Sequence, residues 1–501
     1  MVAEHLDVII IGAGLSGIGA AVHLRRAHPG RSLAILEMRG AIGGTWDLFR
    51  YPGIRSDSDM YTLGYNFKPW TNPVSIAGGR DILAYIRETA AEFDVEGAIR
   101  FHHRVVALDW SSPRARWELT VRRDDTDETI TLTCSFVVAC TGYYKYAHGH
   151  TPEFAGRETF RGTVVHPQQW PEDLEYAGKR VVVIGSGATA VTLVPALAER
   201  AAAVTMLQRS PSYVASVPRA DGMTDALRRV LPEAAVYAIT RFRNVLLSMG
   251  LYGYARWRPQ RTRDFLLRRV AREVGEHVDL EHFSPRYDVW DERLCAVPDG
   301  DLFEAIRNGQ ATVVTDHIDR FVPEGVRLAS GRTLEADIVV TATGLVLEVL
   351  GGSDFRVDGE PVNTGERLYY KGAMLEGVPN MAMVFGYINA SWTLKADLIA
   401  DLVCRVLRHM DDNDYAVCTP RAVGVGDEGP FVTLKSGYFQ RAHHLLPRQG
   451  DRAPWRLYQN YFKDYAMMKL GGVEDGALVF TARKENDDGG KKACEVAYDT
   501  T

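Results

Sequence analysis

Two glycine-rich turns, each set between a short apolar strand and a helix, constrain this chain more than any other feature. The first is Ile11-Gly12-Ala-Gly14-Leu-Ser16-Gly17 and the second is Val181-Val-Val-Ile184-Gly185-Ser186-Gly187-Ala188-Thr189-Ala190. Residues 7–37 read as strand, helix and strand: Val8–Ile11, then Leu15–His28 stopped by Pro29-Gly30, then Leu33–Glu37. Residues 179–208 repeat the unit as Arg180–Ile184, Ala188–Arg200 and Val204–Gln208. Both units are βαβ, which predicts an α/β protein with a parallel sheet in each of two domains.

Two further apolar strands end in similar triplets, Phe136-Val-Val-Ala-Cys-Thr141-Gly142 and Ile338-Val-Val-Thr-Ala-Thr343-Gly344. Each reads as a strand returning to a nucleotide site, so the chain crosses between domains near 142–165 and near 344. The second domain is then inserted in the first. The expected division is 1–145, 146–343 and 344–483, with a helical insertion at about 221–285 and a polar, disordered tail at 484–501. The insertion is rich in arginine and interleaved with Phe242, Tyr252, Tyr254 and Trp257. Contact with an anionic membrane surface is one reading of it. The preferred reading is a solvated arginine face over a packed aromatic side.

A net charge of -6 argues against a nucleic-acid-binding face. The six cysteines form no C-x-x-C pair and no zinc spacing, which suits a reducing cytoplasm. The apolar run Val8 to Val22 is preceded by Glu4 and Asp7 where a signal peptide needs positive charge, and it is too short to span a bilayer. No metal site is expected, because His148 and His150 have no further ligands nearby in sequence.

The ends of the two βαβ units differ in charge. In the first, Gly12, Gly14 and Gly17 permit a tight turn and close approach to a pyrophosphate, and Ser16 lies in the first turn of the helix behind it. Glu37, after the second strand, suits both hydroxyls of an unphosphorylated ribose and repels a 2′-phosphate. The second unit ends instead on Gln208, Arg209 and Ser210, with no acid. A guanidinium there suits a 2′-phosphate. The contrast reads as FAD at the first site and NADPH at the second.

Between the units lies Phe160-Arg-Gly162-Thr-Val-Val-His166-Pro-Gln-Gln-Trp170-Pro171. It resembles the F-x-G-x-x-x-H-x-x-x-W-P fingerprint of type I Baeyer–Villiger monooxygenases. Further matching segments are Gly43-Gly44-Thr45-Trp46, Arg50-Tyr-Pro-Gly-Ile-Arg55-Ser56-Asp57-Ser-Asp-Met-Tyr61, Gln208-Arg-Ser-Pro211, Arg293-Leu-Cys-Ala-Val-Pro298 and Asn389-Ala-Ser-Trp-Thr-Leu-Lys395. The resemblance implies two Rossmann-like domains of the three-layer ββα type, the NADPH domain inserted in the FAD domain. It places Gly44, Thr45 and Trp46 against the flavin and the backbone of Val105 beside the adenine. Arg55, Ser56 and Asp57 are implied where flavin and nicotinamide meet. Ile184 to Ala190 are implied at the NADPH pyrophosphate, with Gln208 and Arg209 around its 2′-phosphate. Arg293 matches the catalytic arginine, with Asp57 as its bidentate partner. Phe160, Gly162, His166, Trp170 and Pro171 are implied at a hinge rather than against substrate. In one place the sequence departs from the family: many members carry lysine before the catalytic arginine, and Glu292 stands here.

The implied reaction is insertion of one oxygen atom of O2 beside a ketone carbonyl, through a C4a-peroxyflavin, giving an ester or lactone. S-oxidation of thioethers or thioamides accompanies it as a second activity. The rival of the same class is a flavin monooxygenase that oxidises nitrogen or sulfur, whose fingerprint lacks Trp170-Pro171. The rival of another class is a non-catalytic FAD- or NADPH-sensing protein, for which Asp57 and Arg293 would be superfluous.

Overall fold

Along the Glu4–Ile11 strand, Val8 and Ile10 face one side of the sheet and Ile9 and Ile11 the other, and all four are buried. This computed structural model, which describes residues 3–276 and 278–482, buries the two rows in different cores. Val8 and Ile10 meet Ile18 and Val22 of the Leu15–Ala27 helix and Ile399 and Val403 of the Trp392–Asp412 helix. Ile9 and Ile11 meet Leu108, Trp117 and Leu119 on the opposite side. A strand buried on both faces reads as the unbroken apolar run seen in the sequence.

That sheet has nine strands and is mixed, not parallel throughout as expected. Glu4–Ile11 pairs in parallel with Leu33–Leu36 and with Glu128–Ala139. The first half of Glu128–Ala139 also pairs antiparallel with Arg116–Arg123, which pairs antiparallel with His103–Ser111. Its last residues take a parallel partner, Met381–Met383, from the far end of the chain. The strand thus joins a helix-covered parallel layer to an antiparallel meander, giving three layers.

The second sheet is parallel at every pairing. Its order is Ala311–Thr315, Ala203–Gln208, Arg180–Ile184, Ile338–Thr341 and Thr163–Val165. Val181 and Val183 pack against the Ala188–Ala198 helix, while Val182 and Ile184 pack with Phe160 and Phe321. The edge strand Thr163–Val165 begins just after Gly162, where an added Cβ would sit 2.3 Å from the carbonyl oxygen of Asp337. No side chain fits between these two segments.

Between the Ala203–Gln208 and Ala311–Thr315 strands come four helices, Gly222–Arg228, Glu233–Trp257, Pro259–Val274 and Asp301–Arg307, the first three in the expected insertion. The longest is anchored by polar groups. Arg241 donates to the carbonyls of Tyr61 and Gly64 at 2.8 and 2.7 Å and pairs with Asp397 at 3.2 Å. Tyr237 donates to the carbonyl of Tyr65 at 2.8 Å. This reverses part of the preferred sequence reading: Arg241 is inside, whereas Phe242, Tyr254 and Trp257 lie exposed. The spacing of Arg241, four residues after Tyr237, puts it on the inner row, and Asp397 compensates its charge. Among the described residues no helix is long and apolar enough to cross a membrane. The tail assigned to 484–501 lies outside the described residues.

Candidate active site

Both glycine-rich turns open into one cavity of about 940 Å³. Of the residues expected at the first site, Gly12, Gly14, Ser16, Glu37, Gly44, Thr45, Trp46 and Val105 line it. Of those expected at the second, Ile184 to Thr189 and Arg209 do, as do Arg55, Ser56, Asp57 and Arg293. Gly17 and Ala190 do not; Ala190 is buried where the Ala188–Ala198 helix packs on its strand.

The residues of the first turn fit a dinucleotide. Gly12 has φ +103°, and a Cβ there would lie 2.7 Å from the carbonyl oxygen of Cys140, so only glycine keeps this approach open. Behind it the Leu15–Ala27 helix presents its N-terminus with no side-chain cap, leaving amides free for phosphate. Glu37 is buried: its Oε2 accepts from the amide of Ala13 at 2.8 Å and its Oε1 from that of Arg39 at 2.9 Å. Burial pushes its carboxyl above the usual range, and the two amides and the Arg39 charge pull the other way. Lone pairs remain on both oxygens for ribose hydroxyls.

Trp392 is wall as well as core. Its Nε1 donates to Ser16 Oγ at 2.7 Å, tying the start of the Trp392–Asp412 helix to the first glycine turn. The N-cap, Ser391, makes no side-chain capping bond, so this second helix terminus is also uncapped beside the cavity.

The second site departs from expectation at Gln208. Its side chain is buried and its Nε2 donates to the carbonyl of His282 at 2.7 Å and to Thr315 Oγ1 at 2.8 Å. The amide nitrogen is spent on holding the sheet to the helical segment, so Gln208 offers no side-chain donor to a phosphate. Arg209, next along, alternates to the open side and is exposed. Glu292 lines the same region; burial raises its carboxyl above the usual range and the Arg209 charge opposes that.

Arg293 and Asp57 meet. Arg293 Nη1 lies 3.2 Å from Asp57 Oδ2, a single contact rather than the expected fork. A third of each side chain is exposed to the cavity. The Nε of Arg293 is buried with no hydrogen-bond partner among the described residues. Arg293 bears on three phenols, Tyr143, Tyr144 and Tyr438, and they and Asp57 raise its pKa although burial opposes this. Arg55, two residues before Asp57, is occupied by Asp301 through both terminal guanidinium nitrogens, Nη2 to Oδ1 at 3.2 Å.

The tyrosines escaped the sequence reading. Tyr143 and Tyr144 directly follow the Thr141-Gly142 turn already marked as a cofactor-side strand end, which was signal enough to find them. Tyr438 and Arg441 also line the cavity, but from a stretch with no glycine pattern, and nothing local marks them.

None of Phe160, Gly162, His166, Trp170 and Pro171 lines the cavity. Phe160 packs edge-on to Phe321, with ring centroids 5.9 Å apart. His166 donates from Nε2 to the carbonyl of Gly344 at 3.1 Å and accepts the amide of Gln168 at Nδ1, also at 3.1 Å. Burial depresses its pKa below 6.5, so it is neutral at pH 7, consistent with that pair of roles. The carbonyl of Gly344 also accepts the amide of His150 at 3.0 Å.

The sequence profile for flavin-binding monooxygenase-like proteins matches residues 73–246, and that for NAD(P)-binding Rossmann-like domains matches residues 10–69. The FAD-containing monooxygenase EthA of Mycobacterium tuberculosis is 51% identical over 483 residues, covering 96% of this chain and 98% of that protein. This chain belongs to the FAD-containing monooxygenases. It is a flavin-dependent enzyme acting on a small molecule and O2, which sets aside the sensing protein. The EthA of Mycolicibacterium smegmatis is 50% identical over 484 residues, covering 96% of this chain and 98% of that protein. The oxidized steroid monooxygenase structure bound to NADP superposes with a TM-score of 0.75 at 22% identity over 96% of this chain and all of that one. At that identity it speaks for the fold. The expected pair of cofactors, FAD and NADP(H), agrees with what these names and titles state of the relatives.

Proposed function

We propose that this monooxygenase consumes NADPH and carries out Baeyer–Villiger oxidation, converting a ketone to an ester or lactone. The observation that carries this reading is the Arg293–Asp57 contact within the cavity that both glycine turns share. The fingerprint from Phe160 to Pro171 supports it on the sequence side. The proposed division into 1–145, 146–343 and 344–483 follows from the same reading. The return of Met381–Met383 to the first sheet supports it.

In this proposal Gly12, Gly14, Glu37, Gly44, Thr45 and Trp46 hold FAD. Arg209 and the turn from Ile184 to Thr189 hold NADPH. When bound, FAD and NADPH would supply the reducing equivalents and the O2 activation that insertion beside a ketone carbonyl needs. The chain supplies charge and shelter. Arg293 is a fixed cation in a phenol-lined recess, preorganised for negative charge developing next to the substrate. Asp57 orients its guanidinium by one hydrogen bond and leaves the other N–H groups of the terminal nitrogens free for reacting groups. The walls formed by Tyr143, Trp392 and Tyr438 exclude water, which would otherwise weaken that charge.

Arg293→Ala tests the assignment. Hydride transfer depends on ring stacking and distance, so the variant should still bleach its flavin anaerobically with NADPH. Ester formation should fall by about two to three decades, while NADPH is consumed and hydrogen peroxide released. Ester formation at near-parent rates removes Arg293 from the chemistry. A parent enzyme that oxidises thioethers and leaves every ketone untouched supports the sulfur-oxidising reading instead.

A further inference from the structure

From residue 234 to residue 263 the chain contains six arginines and no aspartate or glutamate, although the whole protein carries a net charge of -6. This stretch is the Glu233–Trp257 helix and the start of Pro259–Val274. Its outward surface is apolar. Ile239, Phe242, Leu246 and Trp257 form one exposed row, and Leu247, Leu251 and Tyr254 the row beside it. Leu251, Phe242 and Trp257 are 67%, 62% and 68% exposed. From Ile239 to Trp257 the rows run for roughly 27 Å at 1.5 Å per residue. Phe462 extends the patch by packing edge-on against Phe242, with centroids 6.2 Å apart.

Single exposed apolar residues are ordinary, but continuous rows of large ones mark a contact surface. The flanking charges say what kind. Among the described residues, Arg258, Arg261, Arg268 and Arg272 have no carboxylate within 4.0 Å. Arg258 and Arg261 stand at the junction of the two helices beside Trp257, whose ring lies 4.2 Å from the Arg258 guanidinium carbon, and Arg268 and Arg272 continue along the Pro259–Val274 helix. An apolar stripe with an aromatic anchor and a basic border matches an anionic lipid surface. Pairing with a second copy would bring like charges together across the contact.

We propose that this helical face docks the enzyme onto anionic membranes, lying in the lipid interface rather than spanning it. The inner side of the same helix packs Val245 and Met249 against Tyr387 and Leu394, and Tyr387 lines the cavity. Docking therefore sets one wall of the cavity about one helix diameter, roughly 10 Å, from the lipid.

Flotation of the flavin-loaded full chain with phosphatidylcholine vesicles, with and without 30% phosphatidylglycerol, tests this. The protein should float with the anionic vesicles, and 0.5 M NaCl should release it. Phe242→Asp with Leu246→Asp should abolish flotation while flavin absorbance and thermal midpoint stay at parent values. Arg258→Ala with Arg261→Ala should lower partitioning by about fivefold for each charge removed. Absence of flotation with anionic vesicles overturns the proposal, as does flotation unaffected by the aspartate pair or equal on both vesicle types. A parent dimer that Leu246→Asp dissociates, without vesicle binding, assigns the face to self-association and likewise overturns it.

Discussion

Two charges of opposite sign, Arg209 and Glu292, line the proposed NADPH site, and on that proposal their balance should set coenzyme choice. Arg209 is exposed and open to the cavity, while Glu292 stands close enough for their charges to interact. Arg209→Ala removes a charge-assisted contact worth about 1.5–3 kcal/mol. The KM for NADPH should therefore rise by roughly one to two decades and that for NADH stay nearly fixed. Equal losses with both coenzymes would mean that the variant is damaged elsewhere. Glu292 adds a pH dependence. Its carboxyl is held above the usual range by burial, and a bound phosphate dianion raises it further, so binding takes up a proton. Affinity for NADPH should then weaken as pH rises through that raised pKa. Glu292→Gln should flatten this component, and NADH, with no 2′-phosphate, should lack it. Titrating coenzyme fluorescence from pH 5 to 7.5 would show it; identical profiles for parent and variant would remove Glu292 from the site. Arg209 was legible in the sequence because a strand end is a fixed place in a βαβ unit, whereas Glu292 was marked only by the resemblance, as the residue before Arg293. The inward turn of Gln208 was not legible, since it depends on His282 and Thr315 from other parts of the chain.

Apart from the start of the first strand, the strands and helices of the two βαβ units stand within a residue or two of where glycine spacing and apolar runs put them. Arg180–Ile184 coincides with its expected span, and the first strand starts earlier, at Glu4. The mixed sheet was not legible. Alternation in Arg116–Arg123 marks a strand with one buried face, yet alternation says nothing about which neighbour it pairs with or in which direction. Gly162 explains part of the fingerprint at this scale. Gly162→Ala places a methyl 2.3 Å from the Asp337 carbonyl oxygen, so the Thr163–Val165 strand must move away from Ile338–Thr341. Backbone cannot yield as a flexible side chain can, and the cost should be about 1–3 kcal/mol. Calorimetry should show a thermal midpoint several degrees lower. Because the cavity residues lie elsewhere, flavin content should be unchanged in protein that folds. An unchanged midpoint would mean that the edge strand has slack the geometry does not show.

At the scale of the molecule, the glycine turns meet because the chain crosses twice between its two sheets, and His166 ties the crossings together. Asp57 and Arg293 come from opposite sides of those crossings, so no local pattern could join them; only the resemblance pointed to the pair. His166 reaches the carbonyl of Gly344, where the chain leaves the second sheet, and holds the amide of Gln168 at its other nitrogen. The second bond requires an unprotonated Nδ1. Burial depresses the pKa of His166 below the 6.5 of a free imidazole, the Gly344 bond opposing. The sign follows: the neutral ring's contribution is complete above 6.5 and is lost as pH falls through the lower, folded-state pKa. Protonation turns Nδ1 into a donor that faces the Gln168 amide, and the junction opens. Hydrogen exchange resolves this locally, without assuming that a protein of several parts unfolds in one step. After correction for intrinsic rates, the amide of Gln168 should be protected at pH 7.5 and lose protection through acid pH. Amides of the Arg180–Ile184 strand should keep theirs. In His166→Ala the Gln168 amide should exchange freely at both pH values, and steady-state turnover should fall more than anaerobic flavin reduction if the junction governs domain movement. Protection of Gln168 that survives both acid and the alanine substitution would reduce His166 to packing and leave the crossings uncoupled.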